Sequence, residues 1–460
     1  MGERRGALAV VTAAAIITLT ACAATAADDD PSILQPSPTD ASDDGPTLAG
    51  YPLFEGSPLP EIPLTEVVPE DPLGVVDVTR ATASGDVLVV AGSDASGYAQ
   101  VDALDLSTGE ELWRRETSFD PIEAPDDTIV SLFSQDGWLV DGADLGPLQL
   151  ELYLANPCDE PEDWCRVADP DGTREVGVVA LDGRTGDDAL WAEPVIESVA
   201  GDDEEADRVA DAAVRIVAVS SQAIIVNVDG GPAGFDRDEE GDLMRTVALD
   251  PRTGRSLWTA DGVHADRIAG ATVLGYRPPP EPLGLADDAG VLVGLEIATG
   301  EERWGLDDEG PAIWLGRDAD SSLGAARFLD AGYAVVEGGD GSVVTGLERQ
   351  PVLTGDVATW SEDVAALGAA EADLVSVTPG ESAVRAPDPA SPETTYVSGG
   401  GGYLWAEHAD GTFVATDRGG TPLSAELHGS ALRTANGAIV AVSDGTVRIW
   451  RTTEDPAPSS

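Results

Sequence analysis

The sequence predicts an all-β fold assembled from one repeated unit. Three observations predict it. A pattern of eleven or twelve residues occurs four times, short β-branched runs recur between turn clusters, and no amphipathic helix pattern of useful length is present.

The repeat comes first. Residues 102–113 read DALDLSTGEELW, 180–191 ALDGRTGDDALW, 248–258 ALDPRTGRSLW and 294–304 GLEIATGEERW. A small residue precedes a Leu (Leu104, Leu181, Leu249, Leu295), and an acid follows it (Asp105, Asp182, Asp250, Glu296). Two free residues lead to Thr108-Gly109, Thr185-Gly186, Thr253-Gly254 or Thr299-Gly300, and then to Trp113, Trp191, Trp258 or Trp304. This is the chemistry of a β-hairpin. The carboxylate accepts backbone N–H groups and closes the turn, and the Gly supplies positive φ. Trp is a large flat group fit to dock on a neighbouring unit, and the small residue leaves room for it. These residues are read as packing elements, not as chemistry.

Between the copies run Val87-Leu88-Val89-Val90, Ile216-Val217-Ala218-Val219, Ile224-Ile225-Val226, Ala334-Val335-Val336 and Ala438-Ile439-Val440-Ala441-Val442, separated by Gly- and Asp-rich clusters. Such runs bounded by turn residues are strands. The spacings, 46 to 78 residues from Trp to Trp, are too long and uneven for the coils of a parallel β-helix.

The motif resembles the blade signature of the PQQ-like (quinoprotein-type) β-propeller repeat. The resemblance implies a propeller of four-stranded blades, seven in number, with six or eight as alternatives. Fainter copies follow at Thr354-Gly355 with Trp360, and at Ala415-Thr416-Asp417 with Gly419 and Gly420. The run 443–450 (SDGTVRIW) reads as the last strand, closing the ring beside 75–78.

The N-terminus reads as a targeting segment. Arg4 and Arg5 precede an apolar run, 7–19, of signal-peptide length, and Leu19-Thr20-Ala21-Cys22 matches the bacterial lipobox. The match implies cleavage before Cys22 and a diacylglyceryl group on its sulfur. Arg4-Arg5 also permits a twin-arginine route, although Sec export is the expectation. From 23 to about 70 the chain turns to Asp, Pro, Ser, Thr and Ala, which cannot bury enough apolar surface to offset ordering. The expected organisation is a signal peptide at 1–21, a lipidated flexible linker at 22–70 and the propeller at 71–455. The protein is expected as a monomer anchored by its lipid to the outer face of the cell membrane.

The formal net charge is −60, from 85 acids against 25 basic residues, all of them Arg. That balance argues against nucleic acid, whose affinity rests on neutralising phosphates, and against docking on an anionic membrane. The membrane is met only through the lipid. A cationic or polar partner fits better. Of the three Cys, Cys22 is the lipid site, and Cys158 and Cys165 flank a short loop outside the cytoplasm, where a disulfide is expected.

Residue by residue, the sequence offers little enzyme chemistry. The quinoprotein dehydrogenases hold PQQ under a disulfide between adjacent Cys, and this chain has no adjacent Cys pair. The three histidines, His264, His408 and His428, stand in no metal-ligand spacing, and without Lys there is no phosphate loop of the Walker type. Gly399 to Gly402 precede no helix-forming segment. Asp236, Asp238 and Glu240 open a sequence like the first half of a calcium loop, but its twelfth position is Val247, which cannot ligate. No catalytic residue and no cofactor is assigned. The expected function is a non-catalytic binding or scaffold module, similar in architecture to the BamB type of assembly lipoprotein. Its partner would be an envelope protein or a small ligand. The alternatives are a PQQ- or calcium-dependent oxidoreductase and a propeller sensing a small molecule in its central funnel.

Overall fold

Apolar runs with small, tight turns between them fold the chain back on itself as successive antiparallel hairpins. The structure, a computed structural model, describes the strands and most turns between residues 64 and 452. Residues 1–63 and 453–460 lie outside the description, as do 156–174, 198–212, 231–242, 278–288 and several shorter stretches. Cys22, Cys158, Cys165, Asp236, Asp238 and Glu240 therefore lie outside the described residues, as do the signal-peptide segment and Gly399 to Gly402.

The described strands form eight sheets, seven of four strands and one of six. In chain order they are blade 1 (75–116), blade 2 (121–197), blade 3 (213–261), blade 4 (264–305), blade 5 (312–347), blade 6 (352–387), blade 7 (395–428) and blade 8 (430–452). The fold is a β-propeller. Seven blades were expected and eight sheets are present among the described residues. Eight was the alternative that the uneven repeat spacing had left open, and blades 6 to 8 pack without the Trp motif.

Within each blade except the second and the eighth the strands follow in sequence order. The first strands of neighbouring blades pack together about the axis: Val75–Ser84 against Ser430–Ala435 and Trp138–Asp141, and Ala213–Val219 against His264–Ala269. Blade 2 is the six-stranded sheet, because Pro121–Glu123 and Ile129–Leu132 form an added hairpin on the end of Pro147–Ala155.

The ring closes differently from the expectation. Thr446–Thr452 does not pair beside 75–78; it pairs antiparallel with Leu64–Val67, Leu64 opposite Thr452 and Val67 opposite Ile449. Composition had placed Leu64–Val67 in the linker, yet it is the outermost strand of blade 8. Glu66 Oε1 lies 2.9 Å from Arg448 Nη1 across this seam. Val75–Ser84 instead opens blade 1.

The core lies between blades. Alternate residues of a strand face the two neighbouring blades, so central strands are apolar throughout. Val87 to Ala91 are all fully buried. One interface joins Leu88, Val90 and Leu104 of blade 1 to Val440, Val447 and Ile449 of blade 8. Another joins Leu150, Val178 and Trp191 of blade 2 to Ile216, Ile224 and Leu249 of blade 3.

Candidate functional site

The motif residues come together, but across blades. Each Thr-Gly turn joins the third and fourth strands of its blade. Asp105 Oδ1 accepts the amides of Ser107 and Thr108 at 2.7 and 3.1 Å, and Asp182 Oδ1 accepts those of Arg184 and Thr185 at 2.7 and 3.3 Å. In the third copy Asp250 accepts the Arg252 amide at 2.9 Å and the Thr253 hydroxyl at 3.1 Å. The fourth acid, Glu296, faces Arg303 Nε at 3.1 Å instead. The Ser107 hydroxyl, ahead of the turn amides, holds the Asp105 carboxyl below its ordinary range.

The motif Trp of each of blades 1 to 4 lies on a turn Gly of the next blade. The indole Nε1 of Trp113, Trp191, Trp258 and Trp304 donates to the carbonyls of Gly183, Pro251, Ile297 and Gly338 at 2.8, 3.1, 2.7 and 2.9 Å. A Cβ on Gly254 would stand 2.5 Å from the Trp191 ring, and one on Gly300 2.6 Å from Trp258. Both glycines also have positive φ, +74° and +70°. Glycine is required twice over: for the turn, and for the indole that lies on it. Blades 1 to 5 are linked in this way, and all these turns lie on one side of the ring.

One turn in that chain escaped sequence reading. Trp304 docks on Gly341, whose amide donates to Glu337 O at 2.9 Å as the other motif glycines do to their acids. Glu337-Gly338-Gly339-Asp340-Gly341 lacks Thr and has no Trp after it. The legible signal is the acid four residues before Gly, after Val335-Val336. Conversely, Thr354-Gly355 is not a copy. Thr354 ends the first strand of blade 6, and Trp360 is in the second, whereas the motif joins third and fourth. Thr416 does end a third strand, that of blade 7.

The other side of the ring receives the extra chain. Antiparallel order places the second-to-third connections and the links between blades opposite the Thr-Gly turns. Ala155 and Glu175, Glu197 and Ala213, Gly230 and Leu243, and Arg277 and Val291 are the strand ends that bound the four longest undescribed segments between strands. All belong to blades 2, 3 and 4.

A polar junction stands at that side between blades 3 and 4. The Asn227 side chain behaves as a missing strand partner: Oδ1 accepts the Ala265 amide at 3.0 Å, and Nδ2 donates to Ala265 O at 2.8 Å. Thr246 Oγ1 donates to Val263 O at 2.8 Å, so two buried side chains fix the start of blade 4. His264, next to Ala265, stacks on Tyr276 with centroids 5.1 Å apart, and its Nε2 is 3.3 Å from Asp229 Oδ2. Among the described residues no group of three or more His, Cys, Asp or Glu is placed to hold a metal ion. His264 and Asp229 are the titratable groups that the fold brings to this junction.

A buried charge stands at the seam of blades 8 and 1. Asp102 is fully buried, accepting Gln100 Nε2 and Arg114 Nε at 2.7 Å each. Burial raises its pKa above the ordinary value of 3.8, and the Arg114 and Gln100 bonds oppose that shift. A carboxyl with a raised folded pKa holds its proton better folded than unfolded. Its stabilising contribution is complete below the ordinary value and is lost as pH rises through the folded one. Asp102→Asn removes this titration. Melting temperatures measured in steps upward from about pH 3.8 should therefore fall less in the variant than in the parent, and parallel profiles would refute the assignment.

No family model and no curated protein matches the sequence. Solved structures resemble it in fold. BamB from Moraxella catarrhalis is 17% identical, with 85% of this chain and 98% of that one covered and a TM-score of 0.41. The quinohemoprotein alcohol dehydrogenase ADHIIG from Pseudomonas putida HK5 is 12% identical over 86% of this chain and 78% of that one, with a TM-score of 0.42. The β-propeller domain of the Trilobed protease from Pyrococcus furiosus is 10% identical over 83% and 99%, with a TM-score of 0.35.

Proposed function

We propose that this chain is an exported, lipid-anchored binding scaffold that holds a cationic partner in the cell envelope against one side of its ring. One observation supports it above the others. The four longest segments between strands leave and re-enter blades 2, 3 and 4 on the same side, opposite the Thr-Gly turns. Those segments, 156–174, 198–212, 231–242 and 278–288, carry 20 acids and 4 arginines. Connections on a rigid repeat scaffold are where binding concentrates, and a one-sign surface steers an opposite-sign partner. Cys158 and Cys165 fall in the first segment, where a disulfide would hold one loop shape and lower the ordering cost of binding. Cys22 would tether the ring to the outer face of the membrane through the linker, which ends before Leu64.

The test separates the two parts. Replacing Asp202, Asp203, Glu204, Glu205, Asp236, Asp238, Glu239 and Glu240 by their amides should leave the melting temperature nearly unchanged. It should also abolish recovery of the partner in crosslinked pull-downs from intact cells. The same partner at the same yield would place docking elsewhere. Cys22→Ser should release the protein from membranes or leave it as precursor; retention with lipid labelling intact would refute the anchor.

A further inference from the structure

Five large apolar side chains are exposed among the described residues, and three of them, Val76, Tyr98 and Leu329, lie on the side opposite the Thr-Gly turns. Tyr98 is the most exposed of the five, at 71%. It stands in the connection between the second and third strands of blade 1, on the same side as the acidic segments of the neighbouring blade 2.

The backbone under Tyr98 is held from both ends of its turn. Asp94 N donates to Tyr98 O at 2.8 Å, and Asp94 Oδ1 accepts the amides of Ser96 and Tyr98 at 2.7 and 2.9 Å. Gly97, at a φ of +82°, completes the reversal. An aromatic ring carried on such a turn is placed before any partner arrives, and only two side-chain torsions remain to be ordered. Across the sheet, Asp77 and Ala99 both pair with Ser93, and Val76 is the bulged residue between Val75 and Asp77. Register therefore sets Val76 and Asp77, both exposed, on the same rim of blade 1 as the Tyr98 turn.

The rings of Tyr153, Tyr276 and Tyr333 are already covered. Tyr153 is buried, Tyr276 stacks on His264, and Tyr333 lies under the Arg327 guanidinium at 5.7 Å. Tyr98 has no such cover. Guanidinium over aromatic is a contact that this chain makes repeatedly: Arg80 on Trp138, Arg115 on Trp113 and Arg267 on Trp314 are further cases. Tyr98 presents the same kind of face to solvent, on a rim where neither Asp77 nor Asp94 has a basic side chain within ion-pair distance. A chain of 85 acids and 25 arginines has few cations to spare for it.

We propose that Tyr98 is the aromatic anchor of the docking side and receives an arginine side chain of the partner, the guanidinium stacking on the phenol ring. This rests on the binding reading given above and adds to it a contact outside the acidic segments. A guanidinium is planar and more weakly hydrated than an ammonium, so arginine fits an aromatic face better than lysine does. Tyrosine is a residue type in which binding energy concentrates at interfaces, and the acids of blades 2 to 4 steer the cationic segment toward it.

The experiment labels the full chain with 3-fluorotyrosine and titrates it with a short peptide of alternating glycine and arginine. The Tyr98 fluorine resonance, assigned by its loss in Tyr98→Phe, should shift saturably. The same peptide with citrulline for arginine, equal in shape but uncharged, should leave it unmoved. By calorimetry, Tyr98→Leu should weaken the arginine peptide about two- to fivefold, the scale of an exposed cation–π contact. Tyr98→Phe and Tyr98→Trp should retain affinity, because an aromatic face and not apolarity holds the cation. All three variants should melt with the parent, since Tyr98 is exposed. Leu257→Ala, which alters an exposed residue on the outer strand of blade 3, should change nothing. The amide substitutions given above separate the two readings. If they weaken the peptide while the Tyr98 resonance stays still and Tyr98→Leu binds like the parent, the anchor is overturned and the acidic side stands. If the Tyr98 shift and the loss in Tyr98→Leu survive them, the anchor stands and the acidic segments do not. No saturable shift, an equal shift with the citrulline peptide, or equal weakening by Leu257→Ala would also overturn the anchor.

Discussion

Replacing Trp258 by Ala lowers the stability of the ring by about 3–5 kcal/mol, the range for deleting a buried aromatic side chain. Trp258 is 8% exposed, donates to Ile297 O of the next blade at 2.7 Å and lies on Gly300. Its loss removes apolar burial, leaves a carbonyl short of a donor and opens a void between two blades. The partner variant sharpens the test. Gly300→Ala sets a Cβ 2.6 Å from the indole at a φ of +70° and so incurs both a clash and a backbone cost. In the Trp258→Ala background the clash disappears and only the left-handed backbone penalty, about 1–2 kcal/mol, remains. Denaturant or thermal unfolding should therefore give strongly non-additive values for the pair. Additive values would mean that the indole and the glycine do not bear on one another. A Trp258 variant that melts normally but loses a ligand would recast the repeated Trp residues as a binding site.

Deleting Leu64–Val67 costs several kcal/mol and exposes a sheet edge. Four residues pair with Thr446–Thr452, and net contributions of about 1 kcal/mol per hydrogen bond set the scale of the loss. Val67 is buried, as are Ile449 opposite it and Trp450 opposite Glu66, so apolar burial is lost too. The bared strand would present unpaired N–H and C=O groups, a template for pairing with another chain. Lower melting, proteolytic cleavage in blade 8 and concentration-dependent association on gel filtration are the expected readouts. Glu66→Gln is the control. It breaks only the exposed pair with Arg448 and should cost less than about 1 kcal/mol. Unchanged melting and a monomer after the deletion would mean that the ring does not depend on this strand.

Much of the fold was legible from the chain alone. The acid, Thr-Gly and Trp of four copies are local chemistry, and a hairpin closed by its own carboxylate needs no distant partner to be recognised. The strands between them are equally legible, because burial on both faces makes them apolar without interruption, as at Val87 to Ala91. What the Trp residues dock on was not legible. The contacts from Trp113 to Gly183 and from Trp304 to Gly338 join residues 70 and 34 positions apart, set by the packing of blades. Hence the fifth turn, Glu337 to Gly341, passed as an ordinary loop, and Thr354-Gly355 passed as a copy.

By itself the sequence determined the all-β class, the repeated hairpin and the direction of the charge excess. These depend on residue type and spacing, which act locally or through composition. Only the tertiary structure decided that there are eight sheets among the described residues, that Leu64–Val67 closes the last of them, and that Arg80 of blade 1 stacks on Trp138 of blade 2. A short closing strand such as LTEV carries too little pattern to declare its partner nearly 400 residues away. Which residues of separate strands share one station about an axis is fixed by register, and register exists only once the blades have paired.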